Sequence, residues 1–128
     1  MNHEMILLIN LSTISIYKNT KVEVGAPITP PLTQATLAAP LKQKGFNVKI
    51  LDLNIEEDPQ KAIILSLKKV KPKYIAITVL TASYNQMREI CKLVKDFDKD
   101  IKIILGGPHI SALPESSLKE SMADIAVV

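Results

Sequence analysis

Five short apolar segments, separated by helical patterns, constrain the fold of this chain more than any other feature. Each segment is rich in Ile, Val and Leu, and the first is a continuous apolar run, typical of a strand buried on both faces of a parallel sheet. Strands that alternate with helices predict an α/β fold with parallel crossovers. The number of segments favours a flavodoxin-like (Rossmann-like), doubly wound, five-stranded parallel sheet of order 2-1-3-4-5. The predicted strands lie at 5–9, 47–52, 73–79, 101–105 and 124–128.

The first two helices have recognisable ends. One is predicted from Leu32 to Lys44, with Gly45 as its left-handed cap. Pro40 lies inside this helix, and an interior proline costs about 3 kcal/mol because it removes a hydrogen bond and clashes with the preceding turn. We therefore expect a kink or a broken turn at Pro40. The second helix begins at Asp58-Pro59, an N-cap followed by a proline in the first turn.

The later helices carry a capping pattern and an apolar face. Ser83-x-x-Gln86 predicts a capping box, in which the two side chains accept hydrogen bonds from each other's backbone N–H. Pro114 is predicted to open a short last helix that carries Leu118 and Met122. The apolar face after the capping pattern consists of Met87, Ile90, Cys91, Val94 and Phe97.

Composition narrows the class of protein. The chain has 128 residues, 47% hydrophobic and 23% charged, which is the balance of one globular domain. No apolar run approaches the roughly 18 residues of a membrane span. One cysteine, Cys91, allows no internal disulfide and favours the cytoplasm. The net charge of +3 includes a single arginine, Arg88, and aromatic residues make up only 4%, so no nucleic-acid partner is expected.

The predicted topology locates a ligand site. In doubly wound sheets, ligands bind beyond the carboxyl ends of the strands, where the strand order reverses. This rule predicts a site formed by the loops 10–31, 80–84 and 106–113. The first loop is unusual, because a connection between a strand and its helix normally has about two to six residues. A mobile insertion and a lid or partner surface at the ligand edge both fit its length.

Several familiar uses of this fold do not match the strand ends. A receiver domain needs an acidic cluster after strand one and an Asp after strand three, where this chain has Asn10 and Thr78. Flavodoxins need a glycine-containing phosphate loop, and Ser12-Thr13-Ile14-Ser15 has hydroxyls but no glycine. The chain has two histidines, His3 and His109, and no group with metal-ligand spacing. The ligand edge is therefore predicted to bind a small molecule, with no catalytic or metal-ligating residue.

Two short motifs describe a slot at this edge. Thr78-x-Leu80 ends strand three, and Gly106-Gly107 ends strand four. A hydroxyl at a strand end can hydrogen-bond a buried heteroatom, and two glycines remove the Cβ atoms that would block a flat ring. The motifs predict a slot for a long, partly aromatic ligand tail. The structural alternative is that these motifs bind no ligand: a threonine is common in strands, and a Gly-Gly turn is common before a helix.

At these residues the sequence resembles the cobalamin-binding domains, which carry Ser/Thr-x-Leu after strand three and Gly-Gly after strand four. The resemblance is closest to the N-terminal domain of cobalamin-dependent radical S-adenosylmethionine (SAM) enzymes, the magnesium-protoporphyrin IX monomethyl ester oxidative cyclase-like group. It covers about 100 residues in order. The segments that carry it are Pro30-Pro31-Leu32, Lys44-Gly45-Phe46-Asn47-Val48, Leu51-Asp52-Leu53, residues 74–79, Gly106-Gly107-Pro108-His109 and Ala112-Leu113-Pro114-Glu115.

The resemblance implies that cobalamin (vitamin B12) is the cofactor, with its nucleotide tail between the strands and its corrin facing a second domain. The Asp-x-His-x-x-Gly motif that supplies an axial histidine is missing after Asn10, so the resemblance implies base-off binding without that histidine. Thr33-Gln34 stands where a glycine often follows Pro-Pro-Leu. The implied cofactor-binding residues are Ser12, Thr13, Thr78, Leu80, Thr81, Ser83, Gly106, Gly107, Pro108 and His109.

The resemblance also implies a larger parent enzyme. Residues 1–128 would be a single cobalamin-binding-like domain, the N-terminal fragment of a radical SAM methyltransferase or oxidative cyclase. The radical SAM domain of the same chain, with S-adenosylmethionine and a 4Fe-4S cluster, would be its partner. Two alternatives stay open: an interaction or substrate-shaping domain that keeps the fold without binding cobalamin, and a small-molecule sensor.

Overall fold

A single parallel sheet forms the centre of the molecule. The computed structural model describes residues 4–17 and 28–128. In this part of the chain the strand order is β2-β1-β3-β4-β5, and all four strand pairings are parallel. The predicted flavodoxin-like fold is therefore confirmed. The strands are β1 Met5–Asn10, β2 Asn47–Asp52, β3 Tyr74–Thr78, β4 Lys102–Gly106 and β5 Ile125–Ala126.

Helices connect the strands on both faces of the sheet. The sequence analysis did not predict two short helices: α1, which follows β1, and α5, which begins directly after Gly107. Short 3-10 turns follow β2 at Leu53–Ile55 and β3 at Thr81–Ser83. The helices of the described residues are α1 Ile14–Tyr17, α2 Leu32–Gln43, α3 Pro59–Val70, α4 Tyr84–Phe97, α5 Pro108–Ala112 and α6 Pro114–Glu120.

Two apolar layers of unequal size enclose the sheet. The larger core lies where α3 and α4 cover one face, and its buried side chains include Ile63, Leu67 and Met87. On the opposite face, α2 packs against β1 and β2, and the buried cluster there is smaller, with Ile6, Leu8, Ala38 and Val48. Since α2 lies over the β1–β2 side, the same face of β3 and β4 is left available for a cleft.

The helix ends follow the sequence signals in two cases. The Asp58 side chain accepts a hydrogen bond from the backbone N–H of Lys61 at 3.1 Å, which confirms the predicted N-cap of α3. Gly45 has φ +91°. Its N–H donates to the Lys42 carbonyl, and the Phe46 N–H donates to the Leu41 carbonyl, as in a Schellman motif. The predicted left-handed cap of α2 is therefore also confirmed.

Other details of the helix predictions were wrong. α2 runs through Pro40 without interruption, so the broken turn is absent, and the kink stays a prediction. Pro40 and Thr36 are both exposed, so water can bond the Thr36 carbonyl that loses its helical donor. Phe97 was predicted on the buried face of α4 but is 40% exposed, because it ends the helix beyond the edge of the core. Met122 lies after α6 and is also exposed.

The long first loop is described only in part. Its first residues lead into α1, while 18–27 lie outside the described residues. Both interpretations of this loop therefore stay predictions. In the ranges 4–17 and 28–128, no helix combines the length and the apolarity required to cross a bilayer.

Candidate functional site

A cleft of about 720 Å³ opens on the face of the sheet beside α2. Residues of three adjacent parallel strands form its floor, and α2 forms one wall between Thr33 and Leu41. Thr78 and Gly106 are paired in the register of β3 and β4, so the two predicted motifs lie side by side. Among its lining residues are Ile6, Leu8, Leu37, Leu41, Ala76, Thr78, Leu80, Ile104, Gly106, Gly107 and Pro108.

The two glycines of the predicted slot have different surroundings. A Cβ built on Gly106 would have no heavy atom within 4 Å, so this residue leaves open space in the cleft. A Cβ on Gly107 would lie 2.8 Å from the backbone nitrogen of Val79, and Gly107 has φ +99°. The Val79 N–H donates to the Gly106 carbonyl at 2.8 Å, which ties β4 tightly to the end of β3. Gly106 therefore provides room for a ligand, whereas Gly107 permits the backbone itself to pack.

A smaller pocket of about 160 Å³ adjoins the cleft at the carboxyl ends of β1 and β3. These two strands are neighbours in the sheet but not in sequence, so this is the topological switch point of the fold. The cleft is mainly apolar, while hydroxyl and amide groups line much of the smaller pocket. Residues that line both are Thr33, Gln34, Thr78 and Leu80.

Gln86 fixes the backbone of the first loop. The Ser12 N–H donates to Gln86 Oε1 at 2.7 Å, and Gln86 Nε2 donates to the Ser12 carbonyl at 3.2 Å and to Ser15 Oγ at 2.6 Å. The predicted Ser83–Gln86 capping box is therefore wrong, because Gln86 reaches across to the loop instead. Ser83 Oγ accepts from the Leu80 N–H and donates to the Leu80 carbonyl, so it closes the turn after β3.

A second set of hydrogen bonds holds Thr13 to the end of β2. The Thr13 N–H and its hydroxyl both donate to Asn54 Oδ1, at 2.7 and 3.0 Å. Asn54 is placed by its own N–H, which donates to Asp52 Oδ1, and the same oxygen accepts from Asn10 Nδ2 at 2.9 Å. The sequence analysis did not predict the roles of the Asn10 and Asn54 side-chain amides, although Asp52-x-Asn54 has the spacing of an Asx turn.

A contact network lies at the other rim of the site. Thr81 Oγ1 lies 3.1 Å from His109 Nδ1, and the His109 ring packs on the Tyr84 ring with centroids 4.4 Å apart. The Tyr84 hydroxyl donates to Glu120 Oε2 at 2.7 Å. Partial burial and this hydrogen bond raise the pKa of Tyr84, so the phenol stays protonated near neutrality. The contact of Nδ1 with Thr81 and the packing on Tyr84 thus fix the position of the His109 ring.

The structure therefore brings most of the predicted site residues to one edge of the sheet. Ser12 is buried and held by Gln86, while Thr81 and His109 form the rim outside both cavities. The sequence prediction missed Gln34 and Thr33, which α2 carries to the wall of the cleft. Predicted residues that line the cleft or the smaller pocket are Thr13, Thr78, Leu80, Ser83, Gly106, Gly107 and Pro108.

Cys91 takes no part in this site. It is fully buried in the larger core, and burial raises the pKa of its thiol to about 12. Among residues 4–17 and 28–128, no three His, Cys, Asp or Glu side chains are grouped as metal ligands would be. The chemistry of the described edge is thus that of apolar contact, hydroxyl and amide groups.

A doubly wound sheet with an apolar cleft beside its switch point is typical of small-molecule-binding α/β domains. The chain belongs to the B12-binding domain family, because the model of that family, described as the B12 binding domain, matches residues 21–128. The motifs at the ends of β3 and β4 lie within the matched range.

The chain is similar to a protein of known sequence and to one of known structure. It is 30% identical over 123 residues to the uncharacterized methyltransferase PH0819 of Pyrococcus horikoshii. The match includes 96% of this chain but only 26% of the relative, so the chain spans about a quarter of that protein's length. The crystal structure of a cobalamin-binding protein from Desulfitobacterium hafniense superposes with a TM-score of 0.71 at 20% identity. That match covers 99% of this chain and 54% of the other, and it shows the shared fold.

Proposed function

We propose that this chain binds cobalamin base-off, with the nucleotide tail of the cofactor in the cleft beside α2. The observation that carries the proposal is the open space at Gly106, on the floor of an apolar cleft of about 720 Å³. A flat heteroaromatic base needs such a slot, free of Cβ atoms and lined by apolar side chains. The residues present therefore fit the tail of this cofactor, as family membership leads one to expect.

The base-off mode that we propose depends on the tail lying in the cleft, and the sequence of the first loop adds that no histidine of this loop replaces the base. No histidine occurs between Asn10 and Pro31, so this segment has no imidazole to offer to the cobalt. When its own base is inserted in the cleft, the cofactor therefore has no lower nitrogen ligand from this loop. When bound, cobalamin carries an alkyl group or electrons at its cobalt. The chain's own residues bind the tail and keep it out of water.

We further propose that the chain is the N-terminal part of a radical SAM enzyme. A methyltransferase relative about four times as long supports this proposal, since its matching segment is followed or preceded by further chain. The partner would be a radical SAM domain of the same protein, with S-adenosylmethionine and a 4Fe-4S cluster. That domain would carry out methyl transfer or tetrapyrrole-type chemistry, in the cytoplasm, while this one positions cobalamin.

The tail-in-cleft geometry is tested by a substitution that fills the cleft. The purified chain is mixed with hydroxocobalamin, desalted and examined by visible absorption, and the reduced cofactor is examined by electron paramagnetic resonance. We expect retained colour and a cob(II)alamin spectrum without nitrogen hyperfine splitting. Gly106→Val should reduce affinity at least tenfold, or about 1.4 kcal/mol, because its side chain occupies the slot, where a Cβ would meet no protein atom within 4 Å.

The matched control adds the same side chain elsewhere. Ala39 is exposed on α2 and lies outside the cleft, so Ala39→Val should bind as the unaltered chain does. A colourless unaltered chain with either oxidation state would refute cobalamin binding. Nitrogen splitting in the spectrum would refute the base-off mode alone.

The alternative of an interaction domain has one supporting observation. Leu32, Leu80 and Leu113 are apolar, and between 49% and 69% of each is exposed near the ligand edge. Exposed apolar side chains around a site are typical of contact surfaces. The same experiment separates the alternatives, because an interaction domain without cofactor would stay colourless while keeping its fold.

A further inference from the structure

Gln34 is a buried polar side chain in the first turn of α2. Only 4% of the residue is exposed, although it lies on the wall of the cleft and also lines the smaller pocket. A glutamine is unusual at such a position, because side-chain amides are normally exposed unless they are hydrogen-bonded. Its position at the junction of the two cavities is therefore notable.

The carboxamide of Gln34 has no hydrogen-bond partner among the described residues. Yet no buried side-chain nitrogen or oxygen atom in that part of the chain is both sealed from solvent and unpaired. Both facts hold only if the Gln34 amide opens into the cavities. The other buried polar side chains all have partners, namely Ser12, Asn54, Ser83, Lys95 and Ser117.

The surroundings of Gln34 indicate what its amide can bind. None of the described residues that line the cleft or the smaller pocket carries a charge. An anionic group would therefore lose its hydration without gaining a counter-charge. A carboxamide offers both donors and an acceptor, which suits a neutral partner that has both, such as another carboxamide or a hydroxyl.

We propose that Gln34 is a specificity-determining residue whose carboxamide hydrogen-bonds a neutral carboxamide or hydroxyl group of the bound corrinoid. The proposal rests on the proposed cobalamin function and adds a contact to it. Two parts of cobalamin carry such groups, the amide side chains of the corrin and the ribose of the nucleotide tail. Gln34 would recognise one of them where the apolar cleft meets the smaller pocket.

The experiment compares Gln34→Leu and Gln34→Met with the unaltered chain. Each variant is titrated with hydroxocobalamin and with dicyanocobinamide, which lacks the nucleotide, and its melting temperature is measured without ligand. We expect about tenfold weaker binding, since a hydrogen bond is lost in a dry site. Without ligand, the melting temperature should not fall, since the amide opens into the cavities and its replacement removes no hydrogen bond within the folded protein.

The control is Gln43→Leu, the same change at an exposed position of α2 outside both cavities, which should alter neither quantity. Weaker binding of both corrinoids would assign the contact to the corrin amides, and weaker binding of hydroxocobalamin alone to the nucleotide tail. Unchanged affinity in either Gln34 variant would overturn the inference and leave the proposed function intact. If the unaltered chain bound neither corrinoid, both would be overturned.

Discussion

Gly106 and Gly107 are neighbours in the sequence, but the structure constrains them differently. Gly107 adopts φ +99° and ψ 176°, a conformation almost confined to glycine, and its α-carbon lies against the backbone of Val79. The His109 N–H donates to the Val79 carbonyl at 3.2 Å, so the chain passes over the end of β3 at close range. Gly106 has no comparable constraint within the protein. The sequence motif includes both glycines, but the backbone geometry constrains only Gly107.

Substitution by alanine should separate the two glycines in stability. We expect Gly107→Ala to lower the free energy of unfolding by about 2 kcal/mol, from backbone strain and the clash with Val79. Gly106→Ala should change it by less than about 0.5 kcal/mol. Urea unfolding followed by circular dichroism measures both. Equal losses would show that the close approach at Gly107 does not exist in solution.

At the scale of secondary-structure elements, α4 holds the first loop at the ligand edge. Gln86 lies in the first turn of α4 and bonds both the N–H and the carbonyl of Ser12, a residue that is 6% exposed. Asn54, after β2, holds the next residue. The start of this loop is thus fixed by the ends of two elements distant from it in sequence.

We predict that Gln86→Leu releases the start of the loop. The Ser12 N–H would lose its acceptor while staying buried, which costs about 1–2 kcal/mol in the free energy of unfolding. Thermal unfolding measures this loss, and hydrogen exchange should show faster exchange of the Ser12 amide. The matched control is Gln60→Leu, the same change at an exposed residue of α3. If the Ser12 amide exchanged at the same rate in both variants, the conclusion that Gln86 holds the start of the loop would be wrong.

The elements show what a sequence can and cannot reveal here. β2 was predicted with its observed ends because its alternation and its flanking residues are local signals. Thr78 and Gly106 were placed at one edge because parallel topology dictates it. Gln86 was misread, since its partners are 71 and 74 residues away in sequence and a local pattern explained it equally well. Gln34 was missed as a site residue because its burial depends on how α2 lies on the sheet.

At the scale of the whole molecule, the ion pair that is most shielded from water in the described residues lies away from the ligand edge. A partly buried ion pair lies at the opposite, amino-terminal edge of the sheet, where Nζ of the buried Lys95 and Oδ2 of the more exposed Asp124 are 2.8 Å apart. Lys95 also donates to the Ile101 carbonyl at 2.6 Å, and the Ile103 N–H donates to Asp124 at 2.8 Å. These contacts join α4 to the starts of β4 and β5. This ion pair thus stabilises one edge of the sheet, and ligand binding is proposed at the other.

This separation predicts a pH dependence of stability that originates at Asp124. Burial opposes its ionisation, but the Lys95 ammonium and the Ile103 N–H outweigh burial and lower the pKa of Asp124 below its usual value of 3.8. A lowered native pKa contributes stability above the unfolded pKa, and this contribution disappears as the pH falls through the native pKa. Asp124→Asn should therefore cost about 2 kcal/mol at pH 7 and progressively less below about pH 4. Asp96→Asn, which breaks an exposed pair with Lys92, should cost less than about 0.5 kcal/mol throughout. Urea unfolding over this pH range measures both, and equal costs at pH 7 would refute the role of Asp124 in anchoring β5.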